Sequence, residues 1–211
     1  MGRNLEPKCK QCRRVGEKLM LKGDRCNSPK CAMVKRSYIP GFHGPKSRGM
    51  IRRSDFGTQL NEKQKARKQY GLSEKQFRIT FDKASKKVGQ TGESLLQLLE
   101  QRLDNVIYRV GLASSRNQAR QMVAHRIFSL NGRRVSIPSI KVKEGDVIKV
   151  AKKGASDKLF KDIEEKIKNI EIPGWISFNA KELEAKIVSE PKAAQIKSNI
   201  NTQMIVEFYS K

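Results

Sequence analysis

Apolar positions are sparse along the first ninety residues, and a dense stripe then begins. Leu95, Leu96, Leu99, Leu103, Val106, Ile107 and Val110 recur at steps of three and four, which predicts one amphipathic helix ended by Gly111. Ser115 with Gln118 makes a capping box for a helix from Arg116 to about His125. Ala119, Met122 and Val123 form its apolar face, and Arg116 and Arg120 stand one turn apart on another. Two β-rich runs, Ile127–Leu130 and Arg133–Ile137, flank Asn131-Gly132, the strongest short signal for a hairpin. Glu144-Gly145-Asp146 then turns into a strand over Val147–Val150. The pattern predicts a helix-turn-helix with a small antiparallel sheet.

Upstream, residues 58–72 are strong helix formers ended by Gly71, and Ser73 with Gln76 caps a second helix carrying Phe77, Phe81, Ala84 and Val88. Residues 35–57, with Pro40, Pro45 and four glycines among basic side chains, read as an extended loop that is functional or ordered by a partner. Gly89 to Gly92 reads as a domain junction. Downstream, residues 156–170 read as a mixed-charge amphipathic helix broken by Pro173-Gly174-Trp175. Short strand-like pieces follow, and the apolar end Met204–Tyr209 is expected to be buried. The fold class is therefore α+β.

Charge changes the picture from a fold to a partner. The chain has 211 residues with 45 Lys and Arg against 21 Asp and Glu, a net charge of +24. Charge of this size opposes compaction unless a polyanion neutralises it, which points to nucleic acid and away from a soluble metabolic enzyme. It is unevenly placed. Residues 1–53 carry 15 cations against 3 acids, residues 54–90 carry 9 against 4, residues 91–153 carry 12 against 5, and residues 154–211 balance at 9 each. The binding surface is expected in the first three quarters. Arg13-Arg14, Lys35-Arg36 and Arg52-Arg53 are paired cations, and an Arg can fork onto a phosphate. Lys63, Lys65, Arg67 and Lys68 are candidate RNA contacts in the first helical region, and Arg116 and Arg120, with Arg133, Arg134 and Lys141, in the later module. Arg102 and Arg109 lie near Asp104 and Glu100, where pairing within one helix competes with RNA contact. Tyr38 and Phe42 either stack on bases or pack, and His43 and His125 read as polar contacts.

All four cysteines fall early, at Cys9, Cys12, Cys26 and Cys31. C-x2-C and C-x4-C pairs separated by thirteen residues suit an ion held tetrahedrally by four thiolates. Such a site is coordinatively closed, hence structural. Zinc is the default, an iron–sulfur cluster stays open, and disulfides would not persist in a reducing cytosol. No run of 18 apolar residues could form a transmembrane helix, and Met1–Glu6 has no secretory apolar region. No phosphate loop, nucleophile motif or open metal site is present, so no enzyme is expected. A fused RNA-modifying enzyme would need more than residues 154–211 for its catalytic domain. A DNA-binding regulator would need a dimer heptad or a groove-reading finger, and neither appears.

Several segments carry a resemblance that runs from end to end. Beside the cysteine spacing stand Pro40-Gly41-Phe42-His43-Gly44, Ser54-Asp55-Phe56-Gly57, Glu62-Lys63-Gln64-Lys65 and Thr91-Gly92-Glu93. Leu98-Leu99-Glu100-Gln101-Arg102-Leu103-Asp104-Asn105-Val106, Ala119-Arg120-Gln121 and Ile205-Val206-Glu207-Phe208-Tyr209 continue it. In this order they resemble bacterial small-subunit ribosomal protein S-four, in the subgroup that keeps its zinc knuckle. The resemblance implies a metal knuckle with a basic extension over 1–44, a helical domain over 45–90 plus 190–211, and an S-four-type RNA-binding domain over 91–180. It implies a structural protein of the small ribosomal subunit in the cytoplasm, bound first to ribosomal RNA at a helix junction of the 5′ domain, nucleating assembly of the subunit body. It also implies a neighbour in the fifth small-subunit protein, with an influence on decoding accuracy. Lys46, Arg48, Arg52 and Arg53 resemble the family's segment beside messenger RNA at the mouth of its channel. Three places depart from the family: the loop after Gly44 is longer than usual, Arg126-Ile127 stands where Gly-His is usual, and Lys192 where an Arg is often found.

Overall fold

The computed structural model describes residues 6–42, 44, 54–151, 160, 170–180, 182–192, 195–196 and 198–210. The chain divides into two compact units, one of residues 1–95 with 198–211 and one of residues 96–197. The cysteine-bearing segment thus belongs to the same unit as the helices that follow it.

In the first unit, three short helices open the chain: α1 (Lys8–Val15), α2 (Asp24–Asn27) and α3 (Ala32–Lys35). Cys12, Val15, Leu19 and Leu21 form their own small core, with Met33 against it. Helix α4 (Asp55–Gln69) starts where the Ser54 hydroxyl accepts from Gly57 N–H, and α5 (Glu74–Ser85) where the Ser73 hydroxyl accepts from Gln76 N–H. Val88, expected on the apolar face of α5, lies beyond its end and is fully exposed. After α5 the chain enters α6 (Thr91–Glu100), and the unit boundary falls between Leu95 and Leu96.

The last helix of the chain, which we number α9 (Thr202–Tyr209), lies on α4. Asn201 caps it through its side chain, and Ile205 is fully buried. Phe208 meets Phe56 with ring centroids 5.5 Å apart, and Tyr209 meets Phe81 at 4.4 Å. The approach is close at Gly92, where an added Cβ would stand 2.6 Å from Thr202 Oγ1.

The second unit departs from the sequence reading at the leucine stripe. The expected single helix is two, because α6 ends at Glu100 and α7 runs Leu103–Val110. Arg102 between them is extended, at φ −73° and ψ 137°. The break is held by backbone hydrogen bonds: Leu103 N–H donates to Ile140, and Val142 N–H donates to Gln101. Helical periodicity continues through the break, so the pattern alone does not reveal it. Helix α8 (Arg116–Ala124) follows, with the Ser115 hydroxyl accepting from Gln118 N–H. The box is not reciprocal, because Gln118 Oε1 turns to the Ser114 hydroxyl and N–H.

Strands β1 (Phe128–Leu130) and β2 (Arg133–Arg134) form the expected hairpin around Asn131 and Gly132, both left-handed at φ 50° and 80°. That geometry is a mirror-image turn whose twist suits the strands. The second run stops early as a strand, at Arg134 rather than Ile137. With β3 (Val147–Val150), β4 (Ile176–Asn179) and β5 (Glu184–Ile187) they make an antiparallel sheet in the order β2-β1-β3-β5-β4. Its core joins Leu103, Val106, Ile107 and Val123 of the helices to Phe128, Ile148, Trp175 and Ile187. The helix expected over 156–170 lies almost wholly outside the described residues.

Arg126 sits just past the end of α8 in the left-handed region, at φ 58°. Its N–H donates to Val123 and that of Ile127 to Met122, so the helix ends on a left-handed cap that glycine adopts without Cβ strain. A glycine here, which the resemblance implies is usual, would take this backbone without that strain. We expect Arg126→Gly to raise stability by about 0.5–1 kcal/mol, read from urea midpoints at unchanged m-value.

Burial raises the Tyr209 phenol pKa well above its usual range, and the charge of Glu74 and the hydrogen bond to it add to the rise. The folded state therefore favours the neutral phenol. Its contribution is complete below the ordinary tyrosine pKa of about 10 and is lost as pH rises above it. Wild-type melting temperature is expected to fall more steeply above about pH 10 than that of Tyr209→Phe, which thermal melts across that range will show.

Candidate nucleic-acid interface and cysteine knuckle

The α6–α7 break gathers buried charge. Glu100, Gln101, Arg102, Asp104 and Asn105 are all buried, in a unit whose core is otherwise aliphatic and aromatic. Arg109 donates to both Glu100 oxygens at 2.6 and 2.9 Å, and Asn105 Nδ2 donates to the same carboxylate at 2.7 Å. Arg102 forks onto Asp104 at 2.9 and 3.1 Å. The expected pairing of these arginines with these acids is present, but it spans the break rather than running along one helix.

The two carboxylates also reach the candidate RNA contacts of α8. Arg116 Nε donates to Asn105 Oδ1 at 2.7 Å, and its guanidinium lies 4.5 Å from the Tyr108 ring centroid. Arg120 stands 3.5 Å from Asp104. Both are half-buried, so they extend from an internal network rather than swinging free. Such anchoring pre-orders a planar donor before a ligand arrives. Arg133, Arg134 and Lys141 are exposed, the first two as the whole of strand β2. Lys141 also bridges Arg102 through its backbone, which joins the exposed cation to the break.

In the first unit the structure removes two candidates. Lys63 and Lys65 are 6% and 3% exposed. Lys63 donates to Glu74 at 2.7 Å and lies 4.7 Å from the Phe208 ring centroid. Lys65 pairs with Glu17 at 2.9 Å and Glu62 at 3.5 Å, and also donates to the Asn199 carbonyl. Their charge is consumed in fastening α4 to the tail and to the segment after α1, so neither can meet RNA without dismantling the unit. Arg67 is half-buried and 3.6 Å from Glu74. For Glu74, burial pushes the carboxyl pKa up, but hydrogen bonds and charge from Lys63, with Tyr209 and Arg67, bring it below the usual value. Lys68 is half-buried and held below the usual lysine range, first by burial and then by the charges of Arg14 and Arg67.

Arg13 is partly committed. It donates to the Tyr38 carbonyl at 2.9 Å and lies 4.7 Å from that ring's centroid, so Tyr38 packs on an arginine. Arg14, Lys35 and Arg36 are exposed, as is Phe42. Lys46, Arg48, Arg52, Arg53 and His43 lie outside the described residues.

Cys9, Cys12, Cys26 and Cys31 line one cavity, and the last three are buried. None is in a disulfide. Cys26 Sγ accepts a hydrogen bond from Lys22 N–H at 3.3 Å. Burial raises the Cys12 thiol pKa, a hydrogen bond from the Leu19 backbone opposes this, and the three neighbouring thiols add to the rise. Among the described residues no three Cys, His, Asp or Glu side chains are drawn together closely enough to form a ready metal cluster. The donor chemistry nevertheless fits a cation. Among the described residues the cavity's lining holds four thiols and no carboxylate or imidazole, together with Lys8, Lys18 and Lys22. Among the described residues no helix is long and apolar enough to cross a membrane.

Comparison with known proteins agrees over the whole chain. Residues 3–100 match the family model of the ribosomal protein S4/S9 N-terminal domain, and residues 101–148 that of the S4 domain. The small ribosomal subunit protein uS4 of Solidesulfovibrio magneticus is 49% identical over 211 residues, covering all of both chains. Those of Thiobacillus denitrificans and Clostridioides difficile are 48% and 49% identical over the same span.

Glu100, Asp104 and Asn105 position the arginines of α8, a role that the sequence marks only by two acids set into a leucine stripe. Replacing Glu100 by Gln keeps its volume but leaves Arg109 and Asn105 without a buried anion. Arg109 remains one-fifth exposed, so the cost is expected at the lower end of about 3–5 kcal/mol, measured by chemical denaturation.

Proposed function

The chain belongs to the bacterial uS4 family, and from that premise we propose that it binds ribosomal RNA as a structural component of the small ribosomal subunit. It is not an enzyme. The observation that carries this reading is the match along all 211 residues, with both family regions in order. In finer detail, the protein binds a helix junction of the 5′ domain early and nucleates the subunit body. The anchored pair Arg116 and Arg120, with exposed Arg133, Arg134 and Lys141, supports a preformed face for phosphates and 2′-hydroxyls. A neighbour in the fifth small-subunit protein, an influence on accuracy, and nearness of Lys46, Arg48, Arg52 and Arg53 to messenger RNA belong to the same reading. The protein acts within ribosomes of the cytoplasm.

One structural zinc ion is part of the proposal. Cys9, Cys12, Cys26 and Cys31 would hold it, supported by their sharing one cavity. Zinc would fix α1 to α3 as one knuckle, which has only a small apolar core of its own. An iron–sulfur cluster is the competing occupant.

Purified protein should bind the 5′ domain of small-subunit RNA more tightly than tRNA or duplex DNA at every point of a salt series, and contain one zinc per chain. Equal affinity for all three, collapsing together with salt, would reduce the protein to a nonspecific polyanion binder. Iron with visible charge-transfer absorption would replace zinc by a cluster.

A further inference from the structure

We infer that the cleft between α1 and α4, lined by Lys10 and Arg14 from one helix and Lys68 from the other, is a built oxyanion site that takes one phosphodiester group of the bound RNA. Lys10 and Arg14 are one turn apart on α1 and face the same way. Lys68 enters from the last turn of α4. The two helices are in contact, and the Lys65–Glu17 pair ties the chain just after α1 to α4. Glu6, Pro7 and the buried Gln11 complete the lining.

The site differs from a solvated charge run. Cations on one helix face can spread into water, whereas these come from two elements into one concavity. Among the described residues Glu6 is the one carboxylate in the lining, against three cations. Arg67 adds its charge at Lys68 from the α4 side, and Glu6 offsets part of it. A single doubly accepting oxyanion satisfies such a group, with the guanidinium as a fork and the ammonium groups as point donors. The inference rests on the RNA-binding reading above and adds to it Lys10, which the charge pairs along the sequence do not single out.

The test is the slope of log affinity against log salt for the full-length protein on 5′-domain RNA. One neutralised phosphate contributes about 0.7–0.9 to that slope. Lys10→Gln and Lys68→Gln should each lower the slope by about that amount, and the double variant by no more than either alone, because both serve one phosphate. Lys68→Arg should keep the wild-type slope and exclude a folding defect. Additive losses in the double variant would overturn the shared site in favour of diffuse charge. Unchanged slopes would overturn it as well. Inorganic phosphate, followed by amide shifts of residues 7–14 and 68, separates the sources. Shifts by free phosphate with RNA slopes unaltered would mean that the cleft takes the ion and not RNA. A wild-type protein without preference for the 5′ domain would instead defeat the parent reading, and is seen before any variant is made.

Discussion

Two buried carboxylates organise the second unit. Glu100 and Asp104 bracket a break in what is otherwise one continuous apolar stripe, and together they engage Arg102, Asn105, Arg109 and Arg120. Asn105 extends the set to Arg116. Taking both acids out of water is unfavourable unless every oxygen finds a donor, and the arginines supply those donors bidentately. The arrangement therefore fixes three things at once. It fixes where α6 ends, how α7 enters, and where the guanidinium groups of α8 stand. An apolar core of equal volume would do the first two and leave the third to chance.

The same chemistry does opposite work in the first unit. Lys63 and Lys65 carry the same side chain as any exposed lysine, yet their ammonium groups stand between carboxylates, aromatic faces and a carbonyl. They hold the C-terminal helix and the segment after α1 onto α4. Charge in this protein is thus of two kinds. Some cations are internal ties that neutralise buried acids, and others are left over for a polyanion. Net charge counts both together, which is why +24 overstates the binding surface.

The cysteine segment falls between these cases. Its four thiols share a cavity without standing as a ready cluster, and its apolar core is small. A four-thiolate ion would supply the cross-link that so few buried side chains cannot, by the general rule that small domains need staples.

The chain's local chemistry determined much by itself. Ser54, Ser73 and Ser115 cap helices because a short hydroxyl side chain satisfies an otherwise orphaned N–H. Asn131-Gly132 makes the hairpin because these residues accept left-handed backbone. Of the apolar tail only Ile205 is fully buried; Met204, Val206, Phe208 and Tyr209 are half-buried. Charge balance was enough to point to an RNA partner, whereas the cysteine spacing raises a metal knuckle only as a proposal. Tertiary structure decided the rest. Helical periodicity ran unbroken through residues 95–110, and only the Ile140 carbonyl and the Gln101–Val142 bond, made with residues some forty positions away, interrupt it. Lys63 and Lys65 looked like Lys68 in sequence. Which of them meets a carboxylate depends on Glu17, Glu74 and residues 199–209 arriving from elsewhere in the chain. Short-range patterns encode conformations whose cost is paid locally, whereas the fate of a charge is set by what the fold brings beside it.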